Sequence, residues 1–224
     1  MKRALALTTI AAGAALWLAA GCSIIPAPKP DPTRFYVLTP ISDPATSGIA
    51  ETTSGATGNL SIGLGPIHIP GYLDRSQMVT RSSANRIELS ETDRWAEPLG
   101  ASFGQAMAQD LSALLGTREI HFFPWYRSDH IDRQIKLSLY RFEATESGNA
   151  ELSAHWEIFD GADGKLLYSS DTNLAEPMKK DEPGAEAAAL SRALETMTRQ
   201  IATAIQSVTP PASAAPSAVS GIRG

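Results

Sequence analysis

"RQIKLSLYRF", Arg133 to Phe142, is the stretch that decides the fold. Ile135, Leu137 and Leu139 alternate with Lys136, Ser138 and Tyr140, the period of two that sets one strand face on a core and the other in water. "ELSAHWEIF" (Glu151 to Phe159) repeats the pattern with Leu152, Ala154, Trp156 and Ile158. "DGADG", Asp160 to Gly164, then turns the chain into "KLLYSSDTNL". The three stretches predict a meander with one apolar face, and that face needs a second layer to cover it.

Two amphipathic stretches supply the cover. In "RWAEPLGASFGQAMAQDLSALLG" (Arg94 to Gly116), Leu99, Phe103, Met107, Leu111 and Leu114 fall on one helical stripe, with Gly116 as the stop. Proline is tolerated only in a first turn, so Pro98 places the helix start close to Trp95. A second helix is expected from about Glu186 to Val208, with Leu190, Leu194, Met197, Ile201, Ile205 and Val208 spaced 4, 3, 4, 4, 3. That spacing suits a helix on a sheet and equally a short coiled-coil seam, which would make a second copy of the chain a partner.

Upstream, "RFYVLTP" (Arg34 to Pro40) and "REIHFFPW" (Arg118 to Trp125) read as short strands. In "LSIGLGPIHIP" the apolar parity shifts from Leu60, Ile62 and Leu64 to Ile67 and Ile69 across Gly65-Pro66, the mark of a bulge or bend. "SQMVTR" and "RIELSE" flank the polar turn Ser82 to Asn85 as a hairpin. The fold class is therefore α/β, one domain over 34–208, a mixed sheet carrying two long amphipathic helices. The Ser/Thr/Gly-rich residues 41–59 read as a long loop and 209–224 as a disordered tail.

The chain has a single cysteine, Cys22, after Met1-Lys2-Arg3 and an apolar run from Ala4 to Ala20. A basic start, an apolar stretch and small residues form a secretory signal over 1–21, and no second apolar stretch of that kind occurs. Ala19-Ala20-Gly21-Cys22 is similar to a bacterial lipobox, whose cysteine thiol accepts diacylglycerol. Two or more acyl chains anchor a protein stably, and lipidation removes the liability of a lone thiol in an oxidising compartment. A plain secreted protein with an incidental Cys22 is the alternative. By analogy with lipoprotein sorting, Ser23 favours the outer membrane, with the body in the periplasm. Residues 22–33, with proline at every second position from Pro26 to Pro32, form a semi-rigid spacer.

Little in the body reads as chemistry. Losing Lys2 and Arg3 moves the net charge from −5 to about −7, which argues against nucleic acid. His68, His121, His130 and His155 lie far apart in sequence, so no metal-ligand spacing exists. Nucleophile elbow, phosphate loop and dinucleotide fingerprint are all missing, and "GLGPIHIPG" is broken by proline. The sequence predicts no enzyme, no metal and no cofactor.

Two stretches are richer than a core requires. "IPGYLDRSQMVTR" (Ile69 to Arg81) packs an aromatic, an acid-base pair and two arginines into a turn, and "DRWAEPL" (Asp93 to Leu99) puts Trp95 and Glu97 at the expected helix start. Arg75, Asp74, Arg94 and Glu97 are either a surface ion-pair set or part of a partner-binding edge, since Tyr, Trp and Arg anchor interfaces. With "CS…FYVLTP" and the late "ATAI", these stretches resemble the PqiC-type auxiliary lipoproteins of ABC transport systems. The resemblance spans Cys22 to about Ser207. It implies a fold like the TolB N-terminal domain and an MCE-domain protein as partner. It further implies a role without catalysis in moving lipids or other apolar molecules between two membranes. Tyr72, Leu73, Asp74, Arg75, Arg81, Trp95 and Glu97 are then the candidate contacts, and Cys22 the lipidation site. An envelope assembly factor unrelated to lipid traffic, or a periplasmic lipid carrier, would carry much the same sequence.

Overall fold

One long strand organises the sheet. In the computed structural model, which describes residues 30–41, 60–126, 128–179, 182 and 184–208, the elements in chain order are β1 (Arg34–Tyr36), β2 (Ile62–His68), β3 (Gln77–Ser83), β4 (Arg86–Trp95) and α1 (Leu99–Leu115), then β5 (Ile120–Phe122), β6 (Arg133–Thr145), β7 (Asn149–Asp160), β8 (Leu166–Pro177) and α2 (Ala185–Val208). The chain forms two units, Met1–Pro32 and Thr33–Gly224, and all these elements belong to the second. The signal segment, Cys22, most of the spacer, all but the first residue of the 41–59 loop and the tail lie outside the described residues.

On one edge β6 pairs antiparallel with β7 along nearly its whole length, and β7 with β8, which is the expected meander. The other edge is shared. Arg133 to Ser138 pair parallel with β2, which carries β5 beyond it. Ala144 and Thr145 pair parallel with β3, which carries β4 and then β1. The mixed sheet of eight strands thus forks along β6. A register shift between Leu139 and Arg141 moves the inward set from Ile135, Leu137 and Leu139 to Phe142.

The parity shift in β2 is a true irregularity between Leu64 and Ile67, at Gly65 with φ 121°. A side chain at Gly65 would start 2.7 Å from Phe123 Cβ, so the bend needs glycine. The β3–β4 turn is tighter than expected, with Ser83 paired to Arg86 across Ala84-Asn85. Trp95 does not open the helix but ends β4. It pairs with Tyr36, and its amide donates to Ser76 O at 2.7 Å. Pro98, with ψ 128°, is still extended, and the helix starts at Leu99.

Gly116 closes α1 in the left-handed region, its amide donating to Ser112 O at 3.0 Å. Leu115 rather than Leu114 completes the buried stripe. In α2, Leu190, Leu194, Met197, Ile201 and Ile205 are all buried within this chain, against the sheet and α1. The helix therefore lies on the sheet, and that stripe is not a seam for a second copy.

Candidate functional site

The turn after β2 closes the sheet where it forks. Between Ser138 and Ala144, β6 exchanges β2 for β3, which leaves the carbonyl of Tyr140 outside both ladders. The Tyr72 hydroxyl fills the gap, donating to Tyr140 O at 3.0 Å. Tyr72 is aimed there by a turn in which the amides of Leu73 and Asp74 donate to Pro70 O at 2.9 and 3.3 Å. The same turn drives Leu73 into the core and leaves Asp74 in solvent.

Arg81 and Glu143 form the second layer. Glu143 is fully buried and ion-paired to Arg81, as a carboxylate in such a place must be. The Arg81 guanidinium lies 5.7 Å from the Tyr72 ring centroid and donates to its hydroxyl at 3.4 Å. Burial first, and then the Glu143 carboxylate, push the Tyr72 phenol up to about 12, against the pull of Arg81. Tyr72 is therefore a hydroxyl donor at any physiological pH. Trp95 is buried, stacked on Phe142 at 6.5 Å, while Phe103 meets the same ring edge-on at 5.3 Å.

The candidate contacts thus divide by depth. Leu73 and Trp95 are core, Tyr72 and Arg81 build the polar network of the fork, and Asp74 and Glu97 face solvent with Arg75 partly exposed. Among the described residues no ion pair joins Asp74, Arg75, Arg94 and Glu97. Arg94 instead donates to Ser76 Oγ at 3.3 Å, and Arg75 Nε is buried without a hydrogen-bond partner. The pattern reading missed Glu143 and the Tyr140 carbonyl. The signal was present, because the step from Leu139 to Phe142 breaks the alternation and places an acid beside an inward aromatic.

Two other features bear on chemistry. An apolar groove of about 380 Å³ runs between α1 and the β2–β5 wing, lined by Leu64, Pro66, Ile67, Gly100, Gly104 and Phe122 among others. On the solvent face of the meander, His155 Nδ1 lies 2.9 Å from Asp171 Oδ1, and His155 Nε2 lies 3.4 Å from Ser169 Oγ. A serine nucleophile needs fixed oxyanion donors and shelter from water. Here Ser169 and Asp171 are both exposed on an open sheet, so the trio is a cross-strand polar contact. Among the described residues no group of three His, Cys, Asp or Glu side chains is placed to hold a metal. No described helix is long and apolar enough to cross a membrane.

Residues 36–202 match the family described as the ABC-type transport auxiliary lipoprotein component. The chain belongs to this family. Its members are auxiliary parts of a transport system, so a transporter is the partner, and as lipoproteins they belong to a membrane-anchored class of the cell envelope. The match covers the fork, α1, the meander and α2 up to residue 202. Two crystal structures share the fold. One, of an uncharacterized protein, is 17% identical with a TM-score of 0.62 and covers 77% of this chain and 98% of its own. The other, of a protein from Xanthomonas campestris, is 14% identical with a TM-score of 0.62, covering 78% and 96%. The search of curated proteins found no match to this chain.

Proposed function

We propose that this auxiliary lipoprotein is anchored through Cys22 in the outer membrane, faces the periplasm, and serves an MCE-type ABC system that moves lipids or other apolar molecules between the membranes. It does no chemistry there. It docks on the MCE-domain protein through the edge where Asp74, Arg75 and Glu97 stand over Tyr72, Leu73, Arg81 and Trp95. The observation that carries this reading is the family match across 36–202, which takes in both motif stretches. The buried members of the set shape the edge, and the solvent-facing members make the contact. Photocrosslinking in intact cells tests it, with the crosslinker at Asp74 and separately at Glu97, both exposed. Adducts to an MCE-domain protein are expected. A folded, lipidated protein that gives no such adduct at either position overturns the docking edge.

A second reading, a carrier that itself holds lipid, is favoured by the apolar groove beside α1. Its volume of about 380 Å³ suits one acyl chain rather than a whole phospholipid. A side chain at Gly104 would sit 3.5 Å from Ile67 and 3.6 Å from Phe122, so Gly104→Leu fills the groove. Delipidated protein that takes up a fluorescent fatty acid, and loses it in Gly104→Leu, would favour the carrier.

A further inference from the structure

After β1 the chain crosses the seam between α1 and α2 as a short strap, Leu38 to Ile41. Leu38 is buried in the core. The Thr39 amide donates to Ser191 Oγ of α2 at 3.0 Å, and the Ile41 amide donates to Asp110 Oδ1 of α1 at 2.6 Å. Ser191 Oγ in turn donates to Ala187 O at 2.7 Å, which turns a lone pair toward the strap. Asp110 is only 1% exposed, a carboxyl on the inner side of a helix between Met107 and Leu111.

The charged groups facing Asp110 across the seam are Glu195 and Arg199 of α2. These two pair with each other at 3.0 Å, so Arg199 is shared and does not neutralise Asp110. The strap brings no charge of its own, being Leu-Thr-Pro-Ile. Lifting this uncharged strap is one route by which the buried acid reaches water.

We propose that this strap is a proton-controlled clip, closed over Asp110 when the carboxyl is neutral and loosened when it ionises. Burial drives the Asp110 carboxyl up to about 7; the Ile41 amide opposes, Glu195 adds to the rise and Arg199 subtracts. With the strap lifted, the carboxyl returns toward its ordinary value near 3.8. The closed form therefore holds the proton more tightly. Its advantage is full below about pH 4 and is lost as pH rises through 7. If lifting hydrates the carboxyl completely, the strap is about thirtyfold more open at pH 8 than at pH 5.5. The strap continues β1, whose Tyr36 carbonyl accepts from the Ala96 amide at 2.8 Å, next to Glu97. The clip would thereby steady the proposed docking edge; that consequence rests on the docking reading, whereas the clip does not.

Hydrogen exchange of the purified protein, read on a peptide spanning Leu38 to Ile41 and corrected for intrinsic rate, tests the clip without any partner. Protection should fall by roughly an order of magnitude or more between pH 5.5 and 8. Asp110→Asn, whose amide oxygen still accepts from Ile41, should hold protection constant across that range. Ser191→Ala should lower it equally at both pH values. Wild-type protection independent of pH, or an Asp110→Asn variant that keeps the dependence, overturns the clip. Should Asp110→Asn fail to fold, the carbon-13 shift of the wild-type Asp110 carboxyl decides, and a midpoint near 4 rejects the proposal.

Discussion

Removing Arg81 leaves the fully buried Glu143 carboxylate without a cation. Breaking a buried pair from one side costs about 3–5 kcal/mol, whereas replacing both partners with apolar residues is often near neutral. Arg81→Ala is therefore expected to lower unfolding free energy in urea by about that amount, and Arg81→Met with Glu143→Leu to recover most of it. A single variant as stable as wild type would mean that water or another group takes the place of Arg81 beside Glu143. Glu186, half-buried in the first turn of α2, shows the opposite problem. Burial pushes its carboxyl up to about 7, with Asp93 and Glu143 adding to the rise and the Ala144 backbone opposing it. The folded value lies above the ordinary 4.5. Its contribution to stability is thus complete below about 4.5 and disappears as pH rises through 7. Glu186→Gln should flatten the decline in stability between pH 5 and 7.5, measured by urea unfolding at each pH. An unchanged decline would show that water reaches the carboxyl.

Elements with a strong local period could be read directly from the chain. The alternation in β6 and β7 and the stripe of α2 each bury a face whose side chains contribute about 1.5–3 kcal/mol apiece, so pattern and structure agree. The start of α1 was not readable in this way. "DRWAEPL" resembles a helix entrance, yet β1, some 60 residues earlier in the chain, claims Trp95 as a strand end by pairing Tyr36 beside it. Long-range pairing overrode the local proline rule. The turn between β7 and β8 was legible as a turn, but not for the role of its first glycine. A side chain at Gly161 would begin 1.8 Å from the Ile131 carbonyl oxygen, while one at Gly164, with φ 71°, meets open space. Gly161→Ala must push two backbones apart and should cost about 3 kcal/mol or more. Gly164→Ala pays only the left-handed strain, about 1–2 kcal/mol. Thermal melts of the two variants separate them, and equal losses would mean that the turn can shift to make room.

At the scale of the whole molecule the mixed sheet with two covering helices follows from the sequence, while the fork does not. Nothing in β6 alone says that two different wings share one of its edges, because pairing partners are set by contacts about 70 residues apart. The candidate site sits at that fork, and this is why its residues looked over-specified. Tyr72 caps the Tyr140 carbonyl that the change of strand partner leaves unpaired, and Arg81 neutralises the buried Glu143 carboxylate, one oxygen of which has no hydrogen-bond partner. A motif can thus be needed by the fold and still border a docking edge, and charge reversal separates the two roles. Asp74 and Glu97 are exposed and form no described ion pair, so replacing both with lysine should change stability by no more than about 0.5 kcal/mol. On the proposed docking, the same double variant puts two positive charges where the partner would meet two negative ones, which costs several kcal/mol in a matched interface. Recovery of the MCE-domain protein with the tagged, lipidated variant should then fall at least tenfold, with melting temperature unchanged. Undiminished recovery would place the transporter contact elsewhere on the chain and leave the fork motif as a device of folding alone.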